Sequence, residues 1–273
     1  MPDSADPGGR PPQTPPILGG NLSPQTPPAA AQGVLVAVAH GSPDPRASAT
    51  IAELAAVARE RLPGLDLRTA FLGHAPPSLP QVLSTVEADR EVTVLPLLLT
   101  AAYHSKADIP RMLARLPRPR VSYGATLGPH PLLLRALERR LAEADPGAQE
   151  NPARTAVVLA AAGSSDPRAN ATIARLAAQW QARTGWFAVQ AAYASAAEPS
   201  PAAAVADLLR AGAPRVVVAT YLLAPGLFAD RIRQSTLAAG AAAVSPVLGA
   251  CAEVADVLLD RFAQIGSRRR TAA

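Results

Sequence analysis

The stretch His40-Gly41-Ser42-Pro43-Asp44-Pro45-Arg46-Ala47-Ser48-Ala49-Thr50-Ile51-Ala52 returns later in the chain as Ala162-Gly163-Ser164-Ser165-Asp166-Pro167-Arg168-Ala169-Asn170-Ala171-Thr172-Ile173-Ala174. Each copy follows a short apolar run, VLVAVA at 34–39 and AVVLAA at 156–161. A run of that length reads as a parallel strand covered on both faces. Asp44 suits a helix N-cap and Pro45 the first helical position. Ala47, Ile51, Leu54, Ala55, Ala58 and Leu62 then fall on one stripe of a helix that Gly64 closes. The unit is strand, tight turn, helix, and it occurs twice.

Two further pairings keep the same order. Leu98-Leu99-Thr100-Ala101-Ala102-Tyr103-His104 corresponds to Leu222-Leu223-Ala224-Pro225-Gly226-Leu227-Phe228, and Leu127-Gly128-Pro129-His130 to Leu248-Gly249-Ala250-Cys251. The repeat is too long for a solenoid, so it marks a duplicated domain. In the first copy further strands are expected at 65–71, 91–99 and 120–124, with helices near 78–88, 107–116 and 131–144. Strands alternating with helices imply a parallel sheet with helices on both faces. Pro96 sits awkwardly in the third strand and suggests an edge position or a bulge. The expected organisation is a Pro-rich disordered tail at 1–32, domains at 33–145 and 153–266, a polar, loose linker between them, and a basic tail at 267–273.

The 273 residues include 26 Lys and Arg against 21 Asp and Glu, a net charge of +5. Aromatics are only 4% and no nucleic-acid motif is present, which argues against nucleic acid and for an anionic small molecule. One cysteine, Cys251, allows no internal disulfide and no Cys-x-x-Cys metal motif, which fits a reducing cytoplasm. Neither a secretory signal nor an apolar run of membrane-spanning length is evident. Cytoplasmic location and no membrane partner are expected.

In sheets of this kind ligands bind outside the carboxyl ends of the strands. The four histidines, His40, His74, His104 and His130, each follow one of the four strands of the first copy, and the second copy has none. The second copy keeps Gly163, Ser164, Asp166, Pro167 and Arg168 but has Ala162 for His40 and Phe228 for His104. The histidines are therefore separable from folding. Two imidazoles bind a divalent ion loosely, and a neutral imidazole also accepts protons near pH 7. Metal insertion requires both properties, since the ion is held and then released while ring nitrogens lose protons. Gly41-Ser42, between a strand and a helix N-terminus, serves either to attract an anion, with Ser42 and Arg46 adding to it, or only to make the turn. Neither a phosphate loop nor a dinucleotide fingerprint is present.

The strand ending in His40-Gly41-Ser42, the later His104-Ser105-Lys106-Ala107-Asp108-Ile109-Pro110 and the Leu127-Gly128-Pro129-His130 segment resemble the sirohydrochlorin chelatase family, the type II cobalt or iron chelatases in their long, duplicated form. The resemblance covers nearly everything after residue 33. It implies an α/β protein of two tandem chelatase-like domains, each a parallel sheet flanked by helices, facing each other across a cleft. It further implies that His40 and His104 are the metal-binding and catalytic pair. The substrates would be sirohydrochlorin, whose carboxylates would meet Ser42, Arg46 and His130, and Fe2+ or Co2+. The product would serve siroheme or cobalamin biosynthesis, and no cofactor would be tightly bound. Ala101-Ala102 depart from the glycine expected before the histidine, which the second copy carries as Pro225-Gly226. The alternatives are a tetrapyrrole or metal carrier without turnover, and a binding module that uses only the anion-attracting loops.

Overall fold

The computed structural model describes residues 33–101, 108–115 and 120–272. The N-terminal tail at 1–32 and His104 lie outside the described residues. The first unit runs β1 (Gly33–Ala39), α1 (Pro45–Arg61), β2 (Asp66–Phe71), α2 (Leu79–Ser84), β3 (Glu91–Pro96), α3 (Ile109–Ala114), β4 (Val121–Tyr123) and α4 (Pro131–Ala144). The second runs β5 (Thr155–Ala161), α5 (Pro167–Arg183), β6 (Ala188–Tyr193), α6 (Pro201–Arg210), β7 (Arg215–Tyr221), α7 (Leu227–Ala238), β8 (Ala243–Val244) and α8 (Ala252–Ala272). Both sheets are parallel, with orders β2-β1-β3-β4 and β6-β5-β7-β8. The fold is the duplicated α/β arrangement that the repeat implies.

The strand order explains where a ligand can go. Each sheet is built outward from its first strand in one direction and then in the other. The connections leaving β1 and β3 therefore diverge and leave a crevice at their carboxyl ends. The same holds for β5 and β7. The repeated turn that begins each crevice is fixed by its backbone. Gly41 has φ +88, and a Cβ built on it falls 1.7 Å from the Gly73 carbonyl oxygen; Gly163 has φ +84 and its Cβ would fall 1.9 Å from that of Ser195. The conformation favours glycine, and the close approach admits no Cβ at either position. Asp44 and Asp166 then cap α1 and α5 by accepting from the backbone N–H groups of Arg46 and Arg168, each at 2.9 Å.

Pro96 is neither in an edge strand nor at a bulge. β3 lies inside the sheet between β1 and β4. Pro96 is its last residue, aligned with Val38, and β4 pairs only with Val92, Thr93 and Val94. The side of Pro96 that lacks a donor lies past the end of β4, so no ladder bond is lost. The linker is also not loose. Ala148 is fully buried, and Asp145 forms an ion pair with Arg215 of β7.

The halves share one core. α4 packs on β7 and β8 of the second unit, and α8 packs on α1 and β3 of the first. One apolar cluster runs through Leu35, Leu95 and Leu137 into Leu159, Trp180 and Leu258. Each exchanged helix ties down the equivalent loop of the opposite unit. Arg140 of α4 donates to the Leu248 carbonyl at 2.9 and 3.1 Å, and Arg261 of α8 donates to those of Thr126, Leu127 and Pro129 at 2.9 to 3.1 Å. Because a lost partner leaves a buried carbonyl unsatisfied, such links fix the relative placement of the units more firmly than surface ion pairs do.

Candidate active site in the cleft between the halves

The two crevices face each other and enclose a cavity of about 630 Å3, within the range usual for small-molecule sites. The first unit contributes the turn His40–Pro43, His74 and the segment Leu97–Thr100 after β3; the second contributes Ala161–Ser164, Asn170 and the run Tyr221–Ala229. The surfaces are unlike. Both sides carry apolar residues, Phe71 and Leu97–Leu99 on the first and Leu222, Leu223, Leu227 and Phe228 on the second, but the imidazoles of His40 and His74 belong to the first side alone.

His40 is exposed at the end of β1. Its carbonyl accepts from the Gly73 N–H at 3.1 Å, and in the second unit the Ala162 carbonyl accepts from the Ser195 N–H at 3.0 Å. The backbone is therefore made equally well with alanine, and the imidazole of His40 is surplus to the turn. The same comparison applies to His74. Its φ is +61, uncommon for a residue with a side chain, and its counterpart Ala196 has φ +58. His40 and His74 also line a second cavity, beside Asp108, Arg111, Met112 and Arg115. The two histidines thus stand in the partition between two spaces.

Of the residues expected to meet the ring's carboxylates, only Ser42 lines the cleft. Its Oγ accepts from the Asp44 N–H at 3.1 Å, a turn bond that Ser164 repeats with Asp166. Arg46 stands at the rim, where its guanidinium bridges Asp44 and, across the units, Asp230, each at 2.6 Å. Hydrogen bonds from that guanidinium hold the Asp44 carboxyl below its ordinary range. His130 does not line the cleft. It caps α4, its Nδ1 accepting from the Leu132 N–H at 3.3 Å, with Nε2 3.8 Å from the Asp260 carboxylate of α8.

Burial, reinforced by the Arg261 charge and opposed by Asp260, lowers the pKa of His130 below the usual histidine value. The neutral form is therefore favoured on folding. Its contribution to stability is full above the unfolded pKa of about 6.5 and is lost as pH falls through the lower folded value. Wild-type protein is expected to lose stability in that window, and His130→Asn, which keeps a capping group, to lose less. Denaturant midpoints at pH 7.5 and 5.5 check this; equal slopes would show that His130 is not responsible.

Among the described residues no group of three or more His, Cys, Asp or Glu is arranged to hold a metal ion. No helix among them is long and apolar enough to cross a membrane. The profile of the CbiX family matches residues 34–144 and again 156–265. The chain belongs to the CbiX family, the sirohydrochlorin chelatases. The two matches fall on the two halves, so each is a CbiX unit in its own right. The sirohydrochlorin cobaltochelatase of Priestia megaterium is 27% identical over 203 residues, 72% of this chain and 66% of that protein. The sirohydrochlorin ferrochelatase of Bacillus subtilis (strain 168) is 30% identical over 147 residues, 52% of this chain and 55% of that protein. The alignments thus span less than two thirds of these relatives. SirB from Bacillus subtilis, solved with Fe3+, superposes with a TM-score of 0.72 at 23% identity over 85% of this chain and 95% of that one. This likeness establishes a shared fold.

Sequence reasoning reached the histidine side of the cleft and, through the resemblance, gave the second half the opposite wall, but it named no side chain on that wall. Tyr221 is buried and its hydroxyl donates to the Leu99 carbonyl at 3.3 Å, joining the units beneath the cavity; burial raises its pKa. The available signal was the pairing of the segments around Leu98 and Leu222. It placed both at strand ends, without showing which of their atoms meet.

Proposed function

We propose that this CbiX chain inserts a divalent metal ion, Fe2+ or Co2+, into sirohydrochlorin, with the first half carrying the chemistry and the second half closing the cleft. The observation that carries this reading is the one-sided cleft. Two equivalent turns face each other, and only one of them bears an imidazole, at His40. The names of the chelatase relatives supply the substrate class. The tetrapyrrole lies between the halves. His40, with His104 as its partner, holds the ion on one face of the ring through neutral ring nitrogens. Insertion of M2+ displaces two pyrrole N–H protons. One imidazole that releases the metal accepts one of them and passes it to solvent, and water at the open mouth takes the other. A two-histidine site leaves most coordination positions of the ion open, which suits transfer rather than storage. The metal is a substrate, held by the imidazoles of the first wall.

The test is anaerobic insertion followed in the visible spectrum of the ring, with Fe2+ and Co2+ in separate reactions. At least one ion is expected to enter faster with the protein than in buffer, and the faster ion shows which metal this site handles better. Equal rates with and without protein for both ions would contradict the proposal.

A further inference from the structure

Leu227 and Phe228 open α7 on the apolar side of the cleft. They are 70% and 39% exposed, and both line the cavity, unlike Phe187, Leu209 and Leu237, the other large exposed hydrophobics among the described residues. Large apolar side chains left in water at the mouth of a cavity imply an occupant that covers them. Their position is held from both ends. Gly226, with φ +150, brings the chain up to the first unit, where a Cβ on it would lie 3.8 Å from Ser42 Oγ. Two residues after Phe228, Asp230 pairs with Arg46. The first turn of α7 is therefore pinned against the turn that carries His40. In the duplication Phe228 occupies the place of His104. Where one copy has an imidazole, the other has a phenyl ring.

We infer that Leu227 and Phe228 form an apolar platform for one face of a flat conjugated macrocycle, leaving the other face to the histidine wall, so that metal enters from that wall alone. This rests on the proposed substrate class but concerns ring binding, not the chemistry of insertion. A conjugated ring presents a large π-face that an aromatic side chain covers well, and such contacts add to the area buried. The platform has no group that would hold a divalent cation, so ring affinity and metal affinity should separate.

The experiment is a titration of metal-free sirohydrochlorin against wild type, Leu227→Ala, Phe228→Ala and Phe228→Tyr, read by absorbance or fluorescence quenching. The Michaelis constant for Co2+ is measured alongside, and far-UV circular dichroism checks folding. Phe228→Ala is expected to raise Kd for the ring about tenfold, Leu227→Ala by about threefold, and Phe228→Tyr by less than twofold, with the Co2+ constant unchanged. An unchanged ring Kd in Phe228→Ala overturns the platform, as does a Phe228→Tyr defect as large as that of alanine. The titration needs no turnover. Phe228-dependent ring binding without accelerated insertion would uphold the platform while removing the chelatase reading. Wild type that fails to bind the ring would remove both.

Discussion

His40→Ala is expected to reduce the rate of metal insertion by at least about a hundredfold, the contribution typical of a positioned acid or base, while leaving the denaturant midpoint near that of wild type. The two halves of this expectation have separate grounds. The loss follows from removing the one imidazole that the repeated turn carries on the cleft wall. The preserved fold follows from the second unit, which makes the same turn with Ala162, the same backbone bond to the strand-end loop, and the same left-handed glycine. Ring affinity should change little, because the apolar wall is untouched. Initial rates and ring titrations on one preparation check all of this. Loss of folding would show that His40 has a structural role after all, and an unchanged rate would move the chemistry elsewhere.

Trp180→Ala carries the largest expected cost in stability. Trp180 lies in α5, is 1% exposed, and donates from Nε1 to the Glu138 carboxylate of α4 at 3.0 Å. Truncation removes the indole from the core common to both halves and takes the donor from a carboxylate of the other unit. Large-to-small changes of this kind cost about 3–5 kcal/mol. The expected result is a single unfolding transition shifted to lower denaturant by that amount, because α4 and α8 are exchanged between the units and neither half has a complete core alone. Trp180→Phe, which keeps most of the volume, should lose clearly less. Two separated transitions, with only one of them shifted, would contradict a shared core.

The local parts of this fold were legible because their causes are local. α1 begins at Asp44-Pro45 and ends beside Leu62, just before Gly64, as its stripe and capping residues say it should, and α4 covers Pro131–Ala144, the range expected for it. α2 is shorter than its pattern suggested. It stops at Ser84, and Thr85 turns the chain with its N–H on the Val82 and Leu83 carbonyls, a choice that periodicity does not register. Pro96 was misjudged because its tolerance depends on how far β4 extends. The exchange of α4 and α8 was hidden for a related reason. An amphipathic stripe shows that a helix buries one face, not which sheet it covers. At the site, the one-sided placement of His40 and His74 was legible from the duplication itself. The engagement of Arg46 with Asp230 was not, because the partners are far apart in the chain and meet only once the halves dock. The capping role of His130 had a visible signal, its position before Pro131 at the start of an apolar stripe.

The central claim is that the cleft is a catalyst and not a container. The most direct test is the number of metallated rings formed per chain when protein is limiting and sirohydrochlorin and the preferred ion are in excess under anaerobic conditions. Release of the ion from a loosely bound two-histidine site should allow many rings per chain, formed steadily at a rate above the uncatalysed one. Conversion that stops at one ring per chain, or proceeds at the uncatalysed rate after that first ring, would contradict the claim and make the protein a tetrapyrrole or metal carrier.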